Sequence, residues 1–251
     1  MFTHYRTSGI FLKKEDRGET DQVFTVYTKD FGKLEIVGRS IRKIKSKLRQ
    51  GAELFYFSEI EFIQGKNQKT LTDSILIDKF KGLRNFPEKI EIACKVSENL
   101  DNLSGVEEKD DKIWDLLSRV FQQLDNLKLE IKDSLEIFYY YFLWNLFSLL
   151  GYRPELYYCP VCGRKLLPET FWFSPKEGGI VCWQCLKKFD EKERKEAKEI
   201  KVDAVKILRT FLSKDYSVAR RLKTTKEAKD NLKEVSDSYL LFLKEEFPKK
   251  E

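Results

Sequence analysis

The chain has few residues that could carry catalytic chemistry. It contains one histidine, His4, which lies in a predicted strand. No Gly-x-x-x-x-Gly-Lys-Ser/Thr, Gly-x-Gly-x-x-Gly or Gly-x-Ser-x-Gly sequence occurs, so the motifs for nucleotide hydrolysis, hydride transfer and serine hydrolysis are missing. Asp110 and Asp111 are adjacent and precede a helical pattern, which is more typical of a helix N-cap than of a two-metal site. We therefore expect a binding protein and not an enzyme.

The sequence also lacks a recognisable export signal and a membrane-spanning run. Its first residues, MFTHYRTSGIFLKK, interrupt each apolar pair with polar groups, unlike a secretory signal. The most apolar window, residues 137–150, includes Asn145 and Ser148 and is too short to cross a bilayer. The sequence predicts a cytoplasmic protein without a membrane partner, and a buried helix at this window.

Unbalanced charge is confined to the first 50 residues. They contain 12 Lys and Arg against 6 Asp and Glu, a surplus equal to the net charge of +6 of the whole chain. Residues 38–51, GRSIRKIKSKLRQG, hold six cations and no carboxylate. On a helix, Ile41, Ile44 and Leu48 would share one face, so this basic stretch is either an amphipathic helix with a solvated face or a phosphate-binding surface.

The hydrophobic period changes near residue 78, from strands to helices. Five β-rich runs lie between residues 3 and 77, and Asp30-Phe31-Gly32-Lys33 predicts a tight hairpin between the second and third. With one helix or long loop between strands three and four, this pattern favours an OB-fold barrel, with an SH3-like barrel as the alternative. Helical patterns follow at 87–100, 111–127, 134–150, 203–213 and 226–246, and residues 187–201 indicate a solvated helix or linker.

Four of the five cysteines form two Cys-x-x-Cys pairs. Cys159 and Cys162 make the first pair, and Cys182 and Cys185 make the second. Two such turns supply four thiolates to one tetrahedral site, for which zinc is favoured over iron. A site with four sulfur ligands has no position open for water, so we expect one structural zinc per chain. Phe171, Trp172 and Phe173 should pack beside it, and the fifth cysteine, Cys94, is predicted to be a buried helix residue.

These observations predict an α+β multidomain protein. Its parts are an N-terminal OB-fold barrel, an α-helical domain and an inserted four-cysteine, zinc-finger-like unit. The predicted segments are 1–80 for the nucleic-acid-binding barrel, 81–154 and 191–251 for the helical domain, and 155–190 for the four-cysteine unit.

The sequence resembles a known family, the bacterial recombination mediator RecO. The resemblance rests on the order and spacing of motifs that are concentrated in residues 8–47 and 149–185: Ser8–Lys13, Gly18–Asp21, Thr28–Leu34, Gly38-Arg39, Lys45–Lys47, Leu149–Pro154 and the four cysteines. It implies a protein that binds single- and double-stranded DNA, anneals complementary strands, and works with RecR and single-strand-binding protein to promote loading of RecA in DNA repair. It also implies a cytoplasmic, nucleoid-associated location.

With an OB-fold predicted, the basic stretch is more readily interpreted as a phosphate-contacting surface, because basic loops beside an OB groove follow the nucleic-acid backbone. Tyr5, Phe11, Phe24 and Tyr27 are candidates for base stacking, although such residues more often form barrel core. The candidate DNA contacts are Arg6, Lys13, Arg17, Lys33, Arg39, Arg42, Lys43, Lys45, Lys47 and Arg49.

The acidic, apolar-ended tail of single-strand-binding protein would need a groove with apolar walls and a cation. Candidate walls are Trp114, Phe121 and Trp144, of which Trp144 is the most readily explained as core. Candidate cations are Arg119, Arg209, Arg220 and Arg221. The alternative function is an OB and zinc-ribbon binding subunit of another nucleic-acid-processing complex, including one that acts on RNA, because composition does not separate DNA binders from RNA binders.

Overall fold

The structure, a computed structural model, describes residues 3–127, 133–167, 171–213, 216–219, 221–222 and 224–246. The chain divides into two compact units, Met1–Leu129 and Glu130–Glu251. The predicted segments 1–80, 81–154, 155–190 and 191–251 stay a prediction, because compactness alone does not delimit them.

The first unit begins with a closed five-stranded barrel. Its strands are β1 (His4–Arg17), β2 (Asp21–Thr28), β3 (Gly32–Gly38), β4 (Phe57–Gln64) and β5 (Lys69–Asp78). Their order around the barrel is β1-β2-β3-β5-β4, with a parallel pairing between β3 and β5 and antiparallel pairings elsewhere. The five predicted strands and the OB-like barrel are confirmed.

Strand β1 closes the barrel because it is long enough to pair on both sides. Its first half, His4–Ile10, pairs with β4, and its second half, Gly9–Arg17, pairs with β2. The register with β2 shifts between Phe11 and Lys13, which leaves Leu12 as an extra residue, and a bulge of this kind bends a strand. The barrel core consists of Phe11, Phe24, Val26, Leu34, Ile36, Ile41, Ala52, Ile60, Phe62 and Leu71.

The predicted hairpin between β2 and β3 is present and is sterically constrained at Gly32. Thr28 pairs with Gly32, which has a φ of +66°, a conformation that favours glycine. A Cβ at this position would lie 2.0 Å from the carbonyl oxygen of Glu108. Gly32 therefore allows both the turn and the close approach of the chain that follows α2.

Three helices complete the first unit: α1 (Lys81–Arg84), α2 (Pro87–Leu103) and α3 (Asp111–Asn126). The Asp110 side chain accepts hydrogen bonds from the backbone N–H groups of Lys112 and Ile113, which confirms the predicted N-cap. On α3, the ring of Trp114 packs 5.9 Å from that of Phe57, centroid to centroid. The apolar stripe of this amphipathic helix thus contacts the barrel at Phe57.

The prediction for Cys94 is wrong. Cys94 lies on α2 but is exposed, because the buried face of this helix is formed by Ile92, Ala93, Val96 and Leu100. The residue type favours the core, whereas the position of Cys94 on the helix places it outside.

The second unit combines helices with a small sheet. Its elements are α4 (Asp133–Leu149), β6 (Phe171–Ser174), β7 (Gly179–Val181), α5 (Trp183–Leu186), α6 (Glu191–Glu196), β8 (Lys198–Ile200), α7 (Val202–Ser213), α8 (Tyr216–Ala219) and α9 (Lys226–Glu246). As predicted, α4 is buried nearly all round. Its Trp144 is fully buried, stacks on Tyr239 and donates its indole N–H to the Ser236 hydroxyl at 2.8 Å. Gly151 follows the end of α4 with a φ of +94°.

The charged segment 187–201 is more structured than its composition predicts. Helix α6 spans six residues and begins with a capping box between Asp190 and Glu193. The chain then forms β8, which pairs with β6 and buries Ile200. The sequence pattern does not reveal this strand, because it has three residues, only one of which is apolar and fully buried.

The prediction of Lys33 as a DNA contact is wrong. Its side chain is buried, and its ammonium group donates to the carbonyl oxygens of Asp101 at 2.5 Å and Ser104 at 2.7 Å. It also lies 3.2 Å from the Asp101 carboxylate. These carbonyls are at the C-terminal end of α2, where a cation is favoured by the helix dipole. Lys33 therefore joins the barrel to α2 and does not face a ligand.

We expect Lys33→Met to lower the free energy of unfolding by roughly 1.5–3 kcal/mol, the usual contribution of hydrogen bonds to a charged group. Lys29→Met is the matched control, because Lys29 is exposed in the same hairpin. Urea denaturation measures both. Equal stability of the two variants would contradict the structural role of Lys33.

Candidate metal centre and nucleic-acid interface

The four predicted cysteine ligands come together in the second unit. Their sulfur atoms all lie within 4.8 Å of one another, and the Sγ atoms of Cys162 and Cys182 are 3.8 Å apart. A tetrahedral site with metal–sulfur bonds of about 2.3 Å has sulfur–sulfur edges of about 3.8 Å. The four sulfur atoms are therefore close enough together to hold one metal ion.

Two local turns aim the sulfurs at one point. In the first, Cys159 donates its N–H to Arg164 O and accepts a bond from Gly163 N–H, both at 2.8 Å. In the second, Cys182 precedes α5, and its carbonyl accepts from the N–H groups of Cys185 and Leu186. A small core of Cys159, Val181, Cys185, Leu186 and Ala197 supports both turns.

The aromatic residues that were predicted to pack beside this site lie in two different environments. Trp172 packs against the core of the metal centre, as expected. Phe173, on the same strand, packs against Trp144 and Tyr239 in the helical part of the unit. Alternation along β6 sends these neighbours to opposite faces of the sheet.

The thiols of the cluster differ in acidity. A hydrogen bond involving the backbone of Arg164 lowers the pKa of Cys162 to about 7, whereas burial raises the pKa of Cys185 to about 12. A metal ion must therefore displace a tightly held proton from the Cys185 thiol. Metal affinity should fall as the pH falls, because the ligands bind as thiolates.

The basic stretch, residues 38–51, does not form the amphipathic helix that was one of its two interpretations. The chain makes successive turns and then a short 3-10 helix, Lys47–Gln50. Ile41 is buried in the barrel core, but Ile44 is 93% exposed, so the proposed apolar face does not exist. Ser40 has a φ of +51°, which is incompatible with a continuous right-handed helix.

The start of this loop is fixed by Asp21. The Asp21 carboxylate accepts a hydrogen bond from Ser40 N–H at 2.7 Å, and Arg42 N–H donates to Thr20 O at 3.0 Å. The bonds from Ser40 and from the Thr20 hydroxyl, followed by the charges of Arg39 and Arg17, hold the pKa of Asp21 below its usual value. Asp21 is a positioning residue that the sequence patterns did not reveal. Its signal was a short polar side chain directly after the β1–β2 turn.

The cations of the basic stretch are exposed and mostly uncompensated. Within the described part of the chain, Arg42 alone among them forms an ion pair, with Asp16 at 3.2 Å. The exposed cations are Arg39, Arg42, Lys43, Lys45, Lys47 and Arg49. These residues form one basic surface, which we call the basic loop.

The structure places the other predicted contacts differently. Arg17 is at the end of β1, near Asp21 and Arg39, and extends the basic loop. Arg6 lies near the opposite end of β1, where it forms an ion pair with Glu59. Lys13 is exposed and pairs with Glu15. Arg6 and Lys13 thus carry charges that are already compensated.

The candidate stacking residues of the barrel are core residues. Phe11, Phe24 and Tyr27 are at most 1% exposed, and Tyr5 is half-buried against Phe31 and Phe62. This confirms the interpretation as core.

The candidate walls of a peptide groove are also buried. Trp114 is 7% exposed, and Phe121 and Trp144 are 0% exposed. These rings cannot form the walls of an open groove. Of the four candidate cations, Arg119 and Arg221 are exposed, Arg209 is half-buried, and Arg220 lies outside the described residues.

His4 is exposed on β1 and contacts Glu61 at 2.8 Å, as expected for an edge residue. No helix within the described ranges is long and apolar enough to cross a membrane.

Comparison with known proteins connects this geometry to one family. Residues 1–80 match the family model described as Recombination protein O N terminal, and residues 87–251 match Recombination protein O C terminal. DNA repair protein RecO of Dehalococcoides mccartyi is 33% identical over 245 residues, which cover 98% of this chain and 92% of the relative. DNA repair protein RecO of Thermoanaerobacter sp. (strain X514) is 29% identical over 236 residues, which cover 94% and 90%.

We expect elemental analysis of the protein purified without chelator to find one zinc per chain. Cys162→Ser should lose the metal and loosen residues 155–190, because a three-sulfur site binds zinc less tightly. Cys94→Ser, which changes an exposed cysteine outside the cluster, should keep it. Acidification should release the metal from the wild-type chain. Visible absorption bands of iron–thiolate bonding would contradict the assignment to zinc, and a metal-free wild-type chain would contradict the site.

Proposed function

Because this chain belongs to the RecO family of DNA repair proteins, we propose that it binds single- and double-stranded DNA through the basic loop and anneals complementary strands without ATP. In this proposal it works with RecR and with the C-terminal tail of single-strand-binding protein, and thereby promotes loading of RecA. The protein acts as a mediator without catalytic residues, in the cytoplasm at the nucleoid.

The observation that carries the proposal is the uncompensated charge of the basic loop. Five of its six cations have no ion pair within the described residues, and the loop contains no carboxylate. Such a surface binds nucleic-acid phosphates by releasing their condensed counterions, which requires no recognition of bases. Binding that ignores sequence suits a protein that must accept any pair of complementary strands.

Annealing requires that phosphate repulsion is reduced while the bases remain free to pair. Of the candidate stacking residues, Phe11, Phe24 and Tyr27 are buried and Tyr5 is half-buried, so these rings offer little surface for base stacking, and contact is mainly with the backbone. The bases of a strand held in this way stay available to a complementary strand. The completed duplex can then leave, because no hydrolysis or covalent step is involved.

The metal centre has a structural part in this proposal. Zinc bound by Cys159, Cys162, Cys182 and Cys185 would fix the small sheet and the turns of the second unit. Four thiolates saturate a tetrahedral ion, so it would supply no activated water. Loss of the metal should therefore loosen the second unit and affect DNA binding by the barrel less.

Single-strand-binding protein docks elsewhere than at the predicted groove, because the aromatic walls of that groove are buried. The acidic tail needs a cation and an accessible apolar surface, and Trp114, Phe121 and Trp144 do not provide the latter.

We expect the protein to accelerate annealing of complementary single strands in the absence of ATP. Annealing should persist when the strands are coated with intact single-strand-binding protein and should fall sharply when that protein lacks its tail. A fluorescence-quenching assay with labelled strands measures all three conditions. Unchanged annealing when the tail is absent would contradict the tail contact. If naked strands do not anneal faster, the mediator function is contradicted. Stronger binding of matched RNA than of DNA would favour the alternative of an RNA-processing complex.

A further inference from the structure

The second unit contains a small cavity that the proposed function does not use. Its volume is about 210 Å³, and it lies where the segment after α4 meets the end of α7. It is lined by Arg153, Pro154, Glu155, Leu156, Tyr157, Arg209, Leu212 and Ser213. Two arginines in so small a space suggest an anionic ligand.

Arg209 is held in a fixed position at this cavity. Its Nε and Nη2 groups both donate to the carbonyl oxygen of Leu156, with the Nε distance at 3.2 Å. Its guanidinium carbon lies 4.3 Å from the centre of the Tyr157 ring, which is a cation–π contact. A guanidinium has five N–H donors, so donors remain for a ligand after these two bonds.

Neither arginine is neutralised within the described residues. No ion pair involves Arg153 or Arg209 there, and the bond from Arg153 to Leu212 O is long, at 3.4 Å. The one carboxylate of the lining, Glu155, instead accepts the backbone N–H groups of Tyr157 at 2.7 Å and Tyr158 at 3.0 Å. The cavity therefore has two cations whose charge is available.

The accessible part of the lining determines which anion fits. Pro154 and Leu156 are buried beneath the surface, whereas Arg153, Tyr157 and Ser213 are exposed, and Tyr157 is 50% exposed. A ligand meets guanidinium groups, a hydroxyl and an aromatic ring. The volume is below the roughly 300 Å³ of a typical ligand pocket, which leaves little room for the large apolar side chain of a peptide. A phosphate group with a base or sugar beside it matches both the size and the chemistry.

We propose that this cavity binds the backbone of a single nucleic-acid strand, with Arg153 and Arg209 on a phosphate and the exposed Tyr157 against the neighbouring base or sugar. The inference rests on the proposed function and adds a strand-binding site in the second unit to the basic loop of the first. Because annealing brings two strands together, a protein with a site in each unit can reduce the charge of both.

The test uses the full chain with Arg153→Ala and Tyr157→Ala combined. Both changes leave the bonds from Arg209 to Leu156 intact, and retention of metal content and melting temperature shows that the variant is folded. We expect single-stranded DNA to bind at least about fivefold more weakly, the lower limit for loss of one base–aromatic stack, and annealing to slow. Arg194→Ala is the control, because Arg194, like Arg153, is an exposed arginine that donates to the backbone, in its case to the carbonyls of Lys187 and Phe189, but it lies outside the cavity.

A second measurement reads the contact directly. An oligonucleotide that contains 5-iodouracil should cross-link on irradiation to a peptide that includes Tyr157, and Arg153→Ala should reduce the yield. If the wild-type chain binds DNA but the double variant binds as tightly and no cross-link maps to Tyr157, the cavity is not a strand site. If an acidic peptide with an apolar end, and not DNA, loses affinity in Arg153→Ala, the occupant is a peptide and the inference is overturned. If the wild-type chain binds no DNA at all, the proposed function itself is contradicted.

Discussion

The basic loop depends on one hydrogen-bonded carboxylate. Asp21, at the start of β2, accepts the N–H of Ser40 at 2.7 Å and so fixes the point where the chain leaves the barrel after β3. The next residue, Ile41, is buried in the barrel core and anchors the chain there. Between these attachments and the 3-10 helix, the chain has to present its cations outward, because their charge cannot be buried without a partner. A positively charged loop that repels itself is thus held in a defined place, ready for a polyanion.

The barrel of the first unit and the metal centre of the second unit use different means to reach a fixed structure. The barrel of the first unit has a large core of buried apolar residues, and the buried Lys33 joins it to the end of α2. The metal centre of the second unit has a much smaller core, which includes two of its own cysteines. A core of that size contributes little to the stability of the fold. In such folds a bound metal ion provides much of the stability. This difference explains why removal of the metal should affect the two units unequally.

Sequence patterns predicted the features that depend on local spacing. The predictions of the five alternating strands, Gly32 in the hairpin, the cap at Asp110 and the two Cys-x-x-Cys turns are all confirmed.

The errors concern residues whose environment is set by distant parts of the chain. The charge of Lys33 indicated a surface position, but its partners are about 70 residues away on α2. The helical pattern of Ile41, Ile44 and Leu48 was overridden by the bond from Ser40 to Asp21. The cavity at Arg209 could not be predicted, because it needs the contact between α7 and the segment after α4.

The role of the basic loop is tested most directly by the salt dependence of single-stranded DNA binding. Arg42, Lys45 and Arg49 would be replaced together by alanine, and the matched variant would replace Lys188, Lys192 and Lys195, which are exposed in the second unit and change the net charge equally. We expect weaker binding to all sequences by the loop variant alone. The slope of log affinity against log salt should be shallower by about 0.7 for each phosphate that the variant no longer neutralises. The same affinity and slope in the loop variant and the wild type, or equally weakened binding in both variants, would contradict the basic loop as the nucleic-acid interface.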